Sequence, residues 1–440
     1  MYRLWMSAIC LALTLSTPVI AVEGPSAPRA VALLESGKRP VRIVCFGDSV
    51  TGVYYHSGGR RAWPDMLGIA LKSSYPKAKL DIHNAGISGN ATGDALARID
   101  KDVLARRPDL VVVMFGLNDI CAGNREVFRA NLKAIANRCR NAGAAVVLCT
   151  LNSVCPNAAR PMPVVAEFSR IVRDVAAEMS VPVADCFQAY ENLHRKDATA
   201  WLVMFSENNH PCMLGHKLFA ETVAETVSGR HVSLADVPPP NDAMRFTTVR
   251  LKAGQPIKMI AMPPYDRMAR EALVELFPKA NISVTPWPIA GQSLTAMEEW
   301  AKRIRDLKPD LVVVAVPANA AAKDTDAFIR SYHWVLSWSI AYERAQWDVL
   351  PILPGVAGAV PTGNTERVEL ARRIIAGRDL ACLARLPGDR RPAKEILVQW
   401  LRDQMHAAEP TPKNAAPNAN TTTLSTISQD GVLSNREPRK

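Results

Sequence analysis

Beyond its first two dozen residues the chain has no apolar run long enough to cross a bilayer. A spanning helix needs about 20 consecutive apolar residues, so stable membrane insertion of the remainder is excluded. There is no Cys-x-x-Cys pair, which removes the usual zinc and dithiol redox arrangements; neither a metal nor another cofactor is expected. There is also no block of Lys and Arg interleaved with aromatics, and no zinc-finger or RNA-binding signature. The formal charge of +11 therefore reads as Arg and Lys scattered over solvated helix faces, and no nucleic-acid partner is expected.

What is present is enough apolar residue, 48% of 440, for two ordinary domains with cores of their own. The N-terminus has the make-up of a secretory signal. Arg3 supplies the positive start, "LWMSAICLALTL" an apolar stretch too short for a membrane span, and "STPVIA" a cleavage region, with cutting expected after Ala21. Residues 1–21 are thus read as a signal peptide and the mature protein as secreted or periplasmic. Export permits disulfides. Of the nine cysteines eight survive cleavage; Cys45 and Cys149 fall inside strand-like runs, whereas Cys121, Cys155 and Cys212 fall in loops.

From about residue 40 to 230, strand-like runs ("VRIVCF", "LDIHNA", "DLVVVMF", "AAVVLCT", "VPVADC") alternate with amphipathic helical segments, the last being "GHKLFAETVAETV". That alternation predicts a parallel sheet covered by helices on both faces, with the active site at the carboxyl ends of the strands. A Pro-rich linker over 233–248 follows, and then the pattern returns. "RPVRIVCF" (39–46) aligns with "QPIKMIAM" (255–262), "LKSSYPKAKLDI" (71–82) with "LVELFPKANISV" (273–284), and "RPDLVVVMFGLND" (107–119) with "KPDLVVVAVPANA" (308–320). We read this as an internal duplication, with units at 38–232 and 249–407. The Pro/Asn/Thr-rich remainder, 408–440, is expected to be a disordered tail.

Four stretches of the first unit fall at strand ends or before its last helix: "GDSV" (47–50), "NAGISGN" (84–90), "GLND" (116–119) and "SENNHPCMLGH" (206–216). Together, in this order and spacing, they resemble the blocks of the SGNH, or GDSL, hydrolase family. The resemblance implies a flavodoxin-like three-layer αβα sandwich with strand order 2-1-3-4-5, here duplicated. It implies Ser49 as nucleophile, His210 as base, and an oxyanion hole from the Ser49 and Gly86 amides and the Asn118 side chain. The chemistry agrees. A serine hydroxyl attacks only when a base takes its proton, and Asn offers an N–H donor at any pH to a developing oxyanion. Position 51 is Thr, so this is not the Gly-x-Ser-x-Gly elbow of α/β-hydrolases. In place of the family's Asp, three residues before the histidine, stands Glu207. We read it as the acid that orients His210, the alternative being a backbone carbonyl and a Ser-His dyad. Asp48, Asp119 and Asp185 are read as structural, His216 as packing or surface, and Trp63 as core rather than a sugar-stacking ring. In the implied strand order, a Cys121–Cys155 bridge between adjacent loops is feasible.

The second unit lacks these residues. Tyr265 aligns with Ser49, Arg391 with His210, and of "GLND" only Asn319 persists. It is read as a degenerate, non-catalytic copy. The expectation is an exported serine esterase acting through an acyl-serine on a small-molecule or polysaccharide ester, with O-acetyl on carbohydrate favoured. The alternatives are a lipase, lysophospholipase or acyltransferase of the same fold, and a non-catalytic glycan-binding protein.

Overall fold

The apolar runs of the first unit form five parallel strands in a computed structural model that describes residues 28–407. They are β1 (Pro40–Gly47), β2 (Lys79–Gly86), β3 (Leu110–Met114), β4 (Ala145–Cys149) and β5 (Val183–Ala184), in the order 2-1-3-4-5. β1, β3 and β4 are buried on both faces and β2 lies at the sheet edge, half exposed. The expected signal peptide and tail lie outside the described residues.

Helices cover both faces. Trp63–Ser74 buries Trp63, Met66, Leu67, Ala70 and Leu71, a stripe at helical spacing, and Asp65 accepts from the Ala62 amide (2.9 Å) to close its first turn. It packs on Met213–Ser228, with Trp63 and Phe219 ring centroids 5.1 Å apart. Thr92–Asp102, Arg125–Asn141 and Met162–Met179 form the other layer. Helices Cys186–Lys196 and Ala198–Val203, between β5 and the last helix, were not expected from the sequence; both are short and begin on an Asp cap, Asp185 and Asp197.

The second sheet contains β6 (Ile257–Ala261), β7 (Ile282–Pro286), β8 (Leu311–Val314) and β9 (Asp348–Pro351), parallel and ordered 7-6-8-9. This repeats 2-1-3-4 of the first sheet, and as there the helix after its first strand, Tyr265–Leu276, packs on the last one, Ala393–Ala407. Among the described residues it has no fifth strand; a single parallel bridge, Ile352 to Leu383, borders β9 instead.

The two halves share a core. Tyr190, Trp201, Leu202, Val203 and Phe205 of the first are buried in one cluster with Trp287, Phe328, Tyr332 and Leu336 of the second. Between the halves, Leu234 is buried, Lys217 Nζ donates to the carbonyl of Val237 (2.7 Å), and Arg60 pairs with Asp242 (2.6 Å). The Cys121–Cys155 bridge is not formed: all described cysteines are free thiols. Cys121 is exposed on the short helix Asp119–Ala122, whereas Cys155 is buried in the shared core.

Candidate active site

The site starts where β1 and β2 end side by side, Gly47 in register with Gly86. Neither position tolerates a side chain. A Cβ on Gly47 would lie 2.7 Å from the Met114 carbonyl oxygen, and one on Gly86 would lie 2.2 Å from the Gly52 nitrogen. After Gly47 the chain turns sharply. The Asp48 carbonyl accepts from the amides of Thr51 and Gly52 (both 3.1 Å), and its carboxylate accepts from the Val50 amide (2.9 Å). Burial raises the Asp48 pKa to about 6, against the Val50 amide and His210. Asp48 is thus a turn organiser, as read from the sequence, and the turn it shapes presents Ser49.

Ser49 Oγ lies 2.7 Å from His210 Nε2. The Glu207 carboxylate meets His210 Nδ1 and also accepts from the amides of His210 (2.8 Å) and Asn209 (3.0 Å). One side chain therefore holds both the ring and the turn that carries it. Burial pushes the Glu207 acid up, but the imidazole charge, its hydrogen bond and the two amides outweigh this and hold it below the usual carboxylate value. On His210 burial acts downward, and the charge and hydrogen bond of Glu207, with Asp48, lift it above the usual imidazole value. Serine, imidazole and carboxylate in this order can pass a proton from Oγ to a ring whose cationic form is stabilised.

The expected oxyanion donors are placed unequally. Asn118 Nδ2 donates one proton to the Asn90 carbonyl (2.9 Å), leaving its second N–H, while Arg160 donates to Asn118 Oδ1 (3.2 Å) and so fixes which way the amide faces. The Gly86 amide donates to Asn84 Oδ1 (2.9 Å), whose Nδ2 in turn donates to the Thr51 carbonyl (2.7 Å). Asp119 caps helix Thr92–Asp102 through the Thr92 amide and hydroxyl (3.0 and 2.5 Å), and Asp185 caps Cys186–Lys196. His216 and Trp63 are fully buried.

Four neighbours had no sequence signal. His56, buried, stacks on His210. Arg160 also donates to the Leu117 carbonyl (2.8 Å). Tyr54 and the exposed Tyr342 of the second half approach edge to face at 6.0 Å, and the Tyr54 hydroxyl accepts from the Ser88 amide (2.9 Å), in the loop after β2. Each depends on contacts far apart in sequence.

Residues 45–218 match the model of the GDSL-like Lipase/Acylhydrolase family. An acetylxylan esterase of Geobacillus stearothermophilus is 26% identical over 165 residues, 34% of this chain and 73% of that protein. An arylesterase of Vibrio mimicus is 31% identical over 108 residues, 24% of this chain and 52% of that protein, so the chain spans about half the arylesterase's length. A solved lipase/acylhydrolase from Enterococcus faecalis aligns at 25% identity with a TM-score of 0.37, over 44% of this chain and 97% of that one.

Proposed function

From the premise that residues 45–218 form a GDSL-like lipase/acylhydrolase domain, an ester-hydrolysing kind, we propose an exported serine esterase that removes small acyl groups, acetyl above all, from carbohydrate. The observation that carries this reading is the unbroken contact from Ser49 Oγ through His210 to Glu207.

In this mechanism His210 Nε2 takes the hydroxyl proton as Ser49 Oγ bonds to the acyl carbon. Glu207 stabilises the imidazolium. The carbonyl oxygen, now negative, is met by the Asn118 N–H and the Ser49 amide, and by the Gly86 amide once the oxyanion displaces Asn84 Oδ1. Collapse of the adduct breaks the bond to the alcohol oxygen, which receives the proton from His210. Water then attacks the acyl-serine with His210 again as base, releasing the acid and restoring Ser49.

Two considerations favour a small acyl group on a sugar. Cavities of about 940 and 330 Å³, at Ile69, Leu80 and Ile82 and at Tyr265, Asn319 and Leu353, are lined by none of Ser49, His210 or Glu207. The cavity that Glu207 does help line, with Leu202, Phe205 and Ile329, holds about 40 Å³, too little for a long acyl chain. Tyr54 and Tyr342 offer aromatic surface beside the ring stacked on His210, suited to a pyranose face. The unit 249–407 is read as non-catalytic, which fits the burial of Tyr265 at the position of Ser49 and the ion pair of Arg391 with Asp389 (2.6 Å). The test is acetate release from acetylated xylo-oligosaccharide by the purified protein, abolished in Ser49→Ala. Loss of acetyl from the donor only when an acceptor sugar is added, with the acetyl recovered on that sugar and no free acetate, would identify an acyltransferase instead.

A further inference from the structure

Arg378 belongs to the second half, in the turn after helix Thr365–Ala376, and is completely buried. Among the described residues no carboxylate lies within salt-bridge distance of it. Burial lowers its pKa to about 10, so it remains a cation at neutral pH. A buried charge without a counter-ion is costly, and hydrogen bonds to its donors offset part of that cost. The two terminal nitrogens of Arg378 take up four acceptors, Nη1 the His56 carbonyl (3.2 Å) and Nη2 the carbonyls of Ser206 (3.0 Å) and His333 (2.6 Å) and Ser337 Oγ (2.7 Å), while its buried Nε has no partner among the described residues.

The first two acceptors lie in the other half, on either side of His210. Ser206 immediately precedes Glu207, and its amide closes the turn on the His210 carbonyl (2.9 Å). His56 is the residue whose ring lies against His210. The neighbour of Arg378 adds a third hold, since the Gly377 carbonyl accepts from the Met213 amide (2.6 Å) at the start of the helix that follows His210. Only a guanidinium has enough donors, rigidly splayed, to join these segments at once; lysine has one point of attachment.

We propose that Arg378 is a positioning residue for His210, and that the second half is therefore a working part of the active site. This rests on the reading of Ser49, His210 and Glu207 as the reacting set.

The test uses a fluorophosphonate, which reacts with an activated serine, on the full chain. Rate constant and final amplitude of labelling are read separately. Loss of folded protein lowers the amplitude, whereas misplacement of His210 lowers the rate constant in molecules that are folded. Arg378→Met and Arg378→Lys are expected to lower the rate constant on the order of 10- to 100-fold, the scale of a misplacement near 1 Å. Arg60→Gln breaks another contact between the halves, to Asp242 and Asp348, and is expected to leave the rate constant unchanged. Arg378→Lys keeps the buried charge and decides the matter if Arg378→Met does not fold. A wild-type rate constant in either folded variant, or an equal loss in Arg60→Gln, overturns the proposal. Failure of the wild-type protein to label at Ser49 would overturn the esterase reading itself, and this inference with it.

Discussion

The imidazole of His56 lies flat on that of His210, with ring centroids 4.7 Å apart and planes 8° from parallel. On its other side His56 meets His216, Nδ1 to Nε2, at 3.4 Å. His216 Nδ1 accepts from the Trp63 amide (3.1 Å), which assigns its ring proton to Nε2 and leaves His56 Nδ1 as the acceptor. Burial first, and then the charge on His210, push His56 and His216 well below the usual imidazole pKa, His216 to about 3. A proton taken from Ser49 therefore stays on His210 and does not spread along the stack.

His56 accordingly acts as a flat wall. His56→Ala should lower kcat for p-nitrophenyl acetate about tenfold, because the His210 ring gains freedom to tilt from Oγ. His56→Phe should keep most of the activity. Equal losses in the two variants would show that the wall's shape is irrelevant.

Glu207 raises the pKa of His210, and a base works only when deprotonated, so the acid limb of kcat/KM should lie above pH 6.5, the ordinary imidazole value. Glu207→Gln should move that limb to lower pH while reducing kcat on the order of 10²-fold. Glu207→Asp should also be impaired although it restores the family's residue, since a shorter side chain cannot reach the ring and both turn amides together. Near-normal kcat in Glu207→Gln would instead favour a dyad.

Asn118→Ala removes a donor needed only once the oxyanion forms. It should lower kcat on the order of 10²-fold or more with little change in KM. Arg160→Met keeps Asn118 but frees its amide to flip, and a smaller loss in kcat is expected.

Tyr342→Ala should raise KM for acetylated xylo-oligosaccharide several-fold and leave KM for p-nitrophenyl acetate unchanged, by loss of one stacking surface. An equal rise for both substrates would place Tyr342 in the fold rather than the sugar site.

The elements that position Ser49 were legible because β3, β4 and the Ile43–Phe46 stretch of β1 are unbroken apolar runs and the helices between them carry clear stripes. β5 was legible only as an apolar patch around its two paired residues, and helix Ala198–Val203 is too short to show a period. Ser49, Glu207, His210, Gly86 and Asn118 were visible through local motifs. His56 sits in "YYHSGGRRAW" and Arg378 in "AGRDLACL", neither with any local pattern. Their importance arises from contacts spanning 322 positions from Arg378 to His56 and 172 from Arg378 to Ser206, which no periodicity encodes. The repeat made the second sheet legible for the same reason as the first; its burial against Trp201 and Phe205 was not.

The whole mechanism turns on Ser49 as a nucleophile activated by His210. The most direct measurement is the mass of the peptide containing Ser49 after the intact protein is treated with a fluorophosphonate at neutral pH. A single adduct on Ser49 is expected, lost in Ser49→Ala and strongly slowed in His210→Ala with the fold retained. An unmodified Ser49 in folded protein, or an adduct that forms as fast without His210, would contradict it.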